Sequence, residues 1–193
     1  MVRLGVTGGI GCGKSYVCRI LQDEFNIPVY NCDINARIIT DTDLEVVEQL
    51  TKLVPGVYDA EGELDKACLA SYLFASEENA ARVNAIIHPA VRRDFREWVT
   101  MRGANDVLAV ESAILYESRF ETEVDRVLFV DAPLEVRIRR VKERDGLSEE
   151  EIRRRIALQD TEQARRLADF RLMNDGESDV RSQLTEILKS LNH

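Results

Sequence analysis

Short uninterrupted apolar runs alternate along this chain with longer stretches in which apolar residues return at helical spacing. The first run, residues 2–7, reads as a short buried strand; a glycine cluster and a helical pattern from about Lys14 to Phe25 follow it. Pro28-Val29-Tyr30 is a second short strand, ending at Asn31-Cys32-Asp33. Residues 34–103 are expected to be mostly helical. Val46, Val47, Leu50 and Leu53 mark one helix, and Leu69, Tyr72 and Leu73 mark another. Turn residues around Pro55-Gly56 and Asp59 to Gly62 separate them. A longer helix is expected from Ser76 through Ile86, Ile87, Val91, Phe95 and Trp98, with a break or kink ahead of Pro89.

Two further apolar runs, 106–111 and 125–131, have polar ends, as parallel strands covered on both faces do. Helices are expected over about 134–145 and 149–168. A weak strand at 170–173 and an amphipathic helix from about Ser178 to Leu191 close the pattern. Strands alternating with helices specify a three-layer α/β domain, a parallel sheet between helices. The expected organisation is a single domain with its core at about 1–33 and 104–193. A helical insertion, about 34–103, lies between the second and third strands.

Composition supports this picture. With 193 residues, 45% hydrophobic and 32% charged, the chain suits one soluble globular domain with a real core. No run approaches the roughly eighteen apolar residues of a membrane span, and the opening apolar stretch is too short for a secretory signal. A cytoplasmic location is expected. Cys12, Cys18, Cys32 and Cys68 form no C-x-x-C pair, and His88 and His193 are far from metal-ligand spacing, so reduced thiols and no zinc site are expected. Cys12 lies inside the glycine cluster, where a neighbouring lysine could lower its pKa. A net charge of −9 and the lack of a basic tail argue against a nucleic-acid partner. Local cations still hold phosphates, because charge is screened over about 8 Å at physiological salt. Nine of the 21 arginines fall between Arg137 and Arg166.

The glycine cluster, Gly8 through Ser15, matches G-x-x-x-x-G-K-[ST] between a strand and a helix, as a phosphate-binding loop requires. Successive N–H groups of Gly8, Gly9, Gly11, Cys12 and Gly13 would turn onto phosphate oxygens at the positive end of the following helix. Lys14 would reach the β and γ phosphates of ATP, and the Ser15 hydroxyl would ligate Mg²⁺. The fold is therefore expected to be of the P-loop, nucleotide-kinase-like kind.

Carboxylate and arginine positions extend the site. Asp33, at the carboxyl end of the second strand, suits either a general base for an attacking hydroxyl or a helix N-cap. Glu111 and Asp131 each end a strand. Either could bind the water shell of Mg²⁺, and Asp131, followed directly by Ala132-Pro133, better suits a structural turn. Arg137, Arg140 and Arg144 share one helical face, to which Gly146 puts an end. They form either a solvated surface or a lid, within about 137–166, whose guanidinium groups offset charge on a transferring phosphoryl. Arg140 and Arg144 are the candidates for that role. Arg153-Arg154-Arg155, following Glu149-Glu150-Glu151, suits an outward salt-bridged helix. A GTPase-type switch would need an N-K-x-D segment, and the sequence contains none.

Together these segments resemble the dephospho-coenzyme A kinase family over nearly the whole chain. The resemblance runs through Gly5 to Ser15, Asp33 with Ala36-Arg37, Ile87-His88-Pro89-x-Val91, and Leu115-Tyr116-Glu117. It continues through Val130 to Pro133, Arg144 to Ser148, Arg155-Ile-x-x-Gln159, Ala168-Asp169 and Asn174-Asp175-Gly176. It implies transfer of the ATP γ-phosphate to the ribose 3′-hydroxyl of dephospho-CoA. Asp33 would be the base, and the insertion would bind the acceptor, with Arg37, His88 and Glu111 on the acceptor side. Asn174 would lie near the adenine of ATP, and Tyr16 would border the phosphates. The chain departs from the family pattern at Asn31-Cys32 (usually Asp-Ala), Cys12 (usually Ser), Tyr16 (usually Thr) and Glu111 to Ile114 (more often Pro-Leu-Leu). The residues leave the oligomeric state open.

Overall fold

The computed structural model describes residues 1–159 and 161–191. Asp160, inside the expected lid, and His193 lie outside them. Five strands form one sheet: β1 Val2–Thr7, β2 Val29–Asn31, β3 Val107–Glu111, β4 Arg126–Asp131 and β5 Phe170–Met173. Their order is β2-β3-β1-β4-β5. β1 runs parallel to β3 and β4, and β4 runs parallel to β5. The central strand is therefore the one that feeds the glycine loop, and Leu4 and Val6 on it are fully buried.

The helices are α1 Lys14–Phe25, α2 Cys32–Thr42, α3 Leu44–Leu53, α4 Lys66–Ala75, α5 Glu77–Thr100, α6 Leu134–Asp145, α7 Glu149–Leu158, α8 Glu162–Leu167 and α9 Val180–Leu191. Val17 and Leu21 of α1 and Leu184 and Ile187 of α9 share one buried cluster with Leu4, Val6, Leu128 and Leu172 of the sheet. Burying side chains of this size contributes about 1.5–3 kcal/mol each, which fixes α1 behind the loop. A second, smaller cluster joins Ile138 and Val141 of α6 to Ile152 of α7, and Ile10 from the glycine loop packs on it.

The chain divides into two compact units, one from residues 1–30 and 103–193 and the other from Asn31–Arg102. The second unit is helical. In it α5 packs against α2, α3 and α4. Two local expectations are corrected. α5 does not break at Pro89 but runs unbroken from Glu77 to Thr100. Proline removes one N–H, and burial of Val83 before it and Ala90, Val91 and Phe95 after it keeps both sides helical. The helix expected over 149–168 is two, because Gln159 leaves the helical conformation as the C-cap of α7. A complete capping box between Ser148 and Glu151 sets the start of α7.

Candidate active site

The glycine loop leaves β1 at its carboxyl end and enters α1 through Gly13, whose φ of 92° is left-handed. A Cβ there would also collide with Asn174 Nδ2, so the position needs glycine on both counts. Lys14 Nζ donates to the carbonyls of Gly8 (2.9 Å) and Gly9 (3.3 Å), folding the ammonium over the loop. Asn174, only 4% exposed, donates from Nδ2 to Cys12 O at 2.8 Å. Its backbone N–H donates to Asp131 O at 2.8 Å, so β5 delivers this side chain directly onto the loop. Arg140 Nη1 donates to Asn174 O (2.8 Å) and to Cys12 O (3.4 Å), and Nη2 donates to Asn174 Oδ1 (3.2 Å). Loop, α6 and the end of β5 thus meet at one guanidinium group.

Ser15 Oγ donates to Glu111 Oε1 at 2.6 Å. The pair arises because β1 and β3 are parallel neighbours, with Val6 opposite Glu111, so the end of β3 stands beside the start of α1. Glu111 is only 8% exposed. Asp131 takes the structural part: it bonds Arg165 of α8 at 2.7 Å and accepts from Ala132 N at 3.0 Å. Arg144 is exposed and forks onto its neighbour Asp145, at 2.7 and 2.8 Å. Arg153 pairs with Glu149 and Glu135, the outward salt-bridged face expected of it.

Beside the loop opens a cleft of about 490 Å³, bordered by Gly13, Tyr16, Arg140, Asn174, Gly176 and Arg181. Tyr16 is 42% exposed there, and Arg181 is held by both oxygens of Glu24, each at 2.7 Å. Cys12 is corrected. Its side chain is only 1% exposed, and burial pushes the thiol above its ordinary range, outweighing the opposing influence of Lys14.

In the helical unit, Asn31 caps α2 by accepting from Ile34 N at 2.9 Å. Asp33 follows in the first turn, exposed, so the cap function belongs to its neighbour and the carboxylate remains on the surface. Arg37 borders a second cleft of about 490 Å³ between α2 and α4, with Lys66, Leu69, Leu73 and Phe74. His88 lies half-buried on α5, and burial, helped by Arg92, holds its pKa below the ordinary value. Sequence reasoning missed two loop contacts. Arg137 Nε donates to Ile10 O at 2.8 Å, and Gln159 Oε1 accepts from Ile10 N at 2.8 Å. The arginine periodicity placed Arg137 on a shared face without indicating its partner, and no local signal pointed to the second contact.

The family model for dephospho-CoA kinase matches residues 2–179. A dephospho-CoA kinase from Bacteroides fragilis strain YCH46 is 42% identical over 192 residues, covering 98% of this chain and 93% of the relative. One from Corynebacterium diphtheriae is 40% identical over 189 residues, covering 96% and 94%. Among solved structures, a Thermus thermophilus protein superposes with a TM-score of 0.85 at 32% identity, covering 98% of this chain and 96% of its own. The five-stranded sheet, the phosphate loop on its central strand and the match along the chain agree, and the chain belongs to the dephospho-CoA kinase family of ATP-dependent phosphotransferases.

Proposed function

We propose that this chain phosphorylates the ribose 3′-hydroxyl of dephospho-CoA with ATP, giving CoA and ADP. What carries the reading is that one family accounts for residues 2–179, so the phosphate loop, Asp33 and His88-Pro89 fall inside a single match. In this reaction the bond between the γ-phosphorus and its bridging oxygen breaks and a bond to the 3′-oxygen forms. ADP leaves, and the hydroxyl proton must be taken up. We assign that proton to Asp33, whose carboxylate is exposed and not used as a cap. Lys14 and Arg140 supply fixed positive charge toward the phosphoryl group, and the loop N–H groups orient the β and γ phosphates.

Mg²⁺ fits the residues present. Ser15 Oγ and the Glu111 carboxylate offer adjacent hard oxygen donors, and among the described residues no group of three acidic, His or Cys side chains forms a closed protein cage. Mg²⁺ suits such a partial site, keeping several waters and sharing substrate phosphates. When bound, it neutralises charge on the β and γ oxygens. Because Ser15 gives its hydroxyl hydrogen to Glu111, its oxygen lone pairs would be free to hold the cation.

On the acceptor side, the cleft between α2 and α4 combines cations, Arg37 and Lys66, with the apolar Leu69, Leu73 and Phe74. That mixture suits a molecule with a pyrophosphate and a long, weakly polar arm. The four free cysteines support a reducing, cytoplasmic setting, and no described helix is long and apolar enough to cross a membrane. The test is incubation with Mg·ATP and dephospho-CoA, with CoA followed by mass, beside AMP, CMP and pantothenate. Dephospho-CoA is expected to react far faster; comparable rates for another acceptor would overturn the assignment.

A further inference from the structure

Ile10 sits at the tip of the phosphate loop, and side chains from two different segments occupy its two main-chain polar groups. Its N–H donates to Gln159 Oε1 at 2.8 Å, and its carbonyl accepts from Arg137 Nε at 2.8 Å. Gln159 caps the end of α7, and Arg137 lies in the second turn of α6. The Ile10 side chain packs on the apolar cluster that joins these same two helices. Gln159 also donates from Nε2 to Ala113 O at 3.4 Å, reaching the segment that follows Glu111. The remaining end of Arg137 lies against the loop. Its Nη2 is buried without a hydrogen-bond partner among the described residues, and a Cβ on Gly9 would collide with it.

A loop with glycine at positions 8, 9, 11 and 13 has wide conformational freedom, which nucleotide binding must otherwise remove. An Ile10 N–H committed to Gln159 is not one of the donors offered to phosphate, so its contribution is the shape of the loop. We propose that Gln159 and Arg137 are positioning residues that preset the phosphate loop by gripping Ile10 from both sides. Arg137 thereby stands apart from Arg140 and Arg144 on its helix face: it acts on the loop rather than on the transferred group. Glycine at position 9 leaves room for this guanidinium group, and a side chain there would press on the arginine that holds the tip.

The inference rests on the nucleotide-binding reading of the loop and not on the identity of the acceptor. ADP affinity would be measured by calorimetry for the unaltered chain, Gln159→Met, Arg137→Lys and the double variant. Methionine keeps the volume and loses both bonds; lysine keeps the charge and loses the Nε geometry. Each single change is expected to weaken ADP about 5- to 30-fold, the loss that follows removing one partner of a part-buried hydrogen bond. KM for ATP should rise with a much smaller change in kcat. The double variant should fall clearly short of the product of the two singles, because both act through one residue. Melting temperature without nucleotide reports whether each variant is folded. If Arg137→Lys unfolds, Gln159→Met decides alone. ADP affinity within twofold of the unaltered chain for Gln159→Met, or fully multiplicative effects, would overturn the proposal. A chain that binds ADP tightly but leaves dephospho-CoA unphosphorylated would sink the acceptor assignment and leave this inference standing.

Discussion

Glu111→Gln separates charge from hydrogen bonding at the position proposed for the metal. Glutamine keeps an oxygen to accept from Ser15 Oγ, now 2.6 Å from Glu111 Oε1, and nearly the same volume at a site only 8% exposed. What it removes is the negative charge. Two unit charges about 4 Å apart at an effective dielectric near 20 interact by about 4 kcal/mol, and a divalent ion doubles that gross figure. Most of it is screened, because the carboxylate would reach the ion through its water shell rather than directly. Losing an outer-sphere partner of a bound metal typically costs 10- to 100-fold in metal affinity, about 1.4–2.7 kcal/mol, and this is the expected range.

The assay is ADP binding by calorimetry in excess Mg²⁺ and again in EDTA, for the unaltered chain and the variant. With metal, Glu111→Gln should bind ADP about 10- to 100-fold more weakly. Without metal the sign should reverse or vanish, since a carboxylate beside a diphosphate repels it and glutamine does not. A general loss of loop structure would weaken ADP in both conditions. Equal metal dependence in the two proteins would refute the reasoning, leaving Ser15 as the only protein group proposed for the ion.

Asp33→Asn should lower kcat by at least about 100-fold with ATP affinity nearly unchanged; unchanged turnover in a rapid-mix assay would remove Asp33 from proton transfer. His88 has a folded pKa below its unfolded value of 6.5, so it contributes stability above pH 6.5 that is lost as pH falls through the folded pKa. His88→Asn should therefore flatten the fall in melting temperature between pH 7.5 and about 5.5, and equal slopes would show that the imidazole is not the titrating group. Gly13→Ala puts a side chain at φ 92° and into Asn174. About 1–2 kcal/mol of left-handed strain alone should lower the melting temperature by roughly 2–8 °C. ADP affinity should fall with it; calorimetry showing it unchanged would mean that the loop shape tolerates the substitution. Pro89→Ala returns an N–H to the interior of α5 and should raise stability in urea by up to about 3 kcal/mol, with no gain if the helix has already relaxed around the proline.

The parts of this molecule legible in its sequence are those set by near neighbours along the chain. Apolar runs of 2–7, 106–111 and 125–131 read as strands because burial on both faces leaves no room for alternation. The loop was legible because its glycines, lysine and serine act within eight consecutive residues. Asp33 is the intermediate case. A carboxylate after a strand suits both a cap and a base, and only the Asn31 bond to Ile34 N removes the first possibility. Pro89 and Cys12 show the limit from the other side. Local rules break the helix and lower the thiol pKa, whereas tertiary burial continues the one and raises the other.

What stayed hidden depends on strand order. Ser15 and Glu111 are separated by 96 residues and meet because β3, rather than β2 or β4, lies on that side of β1. Asp131 has the same strand-end pattern, but on the β4 side, where Arg165 from α8 engages it first. Arg137, Arg140 and Arg144 pose the same problem on a helix. Periodicity puts them on one face, and their fates follow from what lies opposite each: the Ile10 carbonyl, Asn174 with Cys12, and, among the described residues, the adjacent Asp145 alone. A shared face therefore does not mean a shared function. The first two guanidinium groups are fastened to the nucleotide loop, while Arg144 is held by a single exposed pair of the kind worth about 1 kcal/mol or less. On the proposed phosphotransfer reading, that weak tether would let Arg144 be recruited to the transferred phosphoryl at the least cost of the three, whereas Arg140 would act from where it already is.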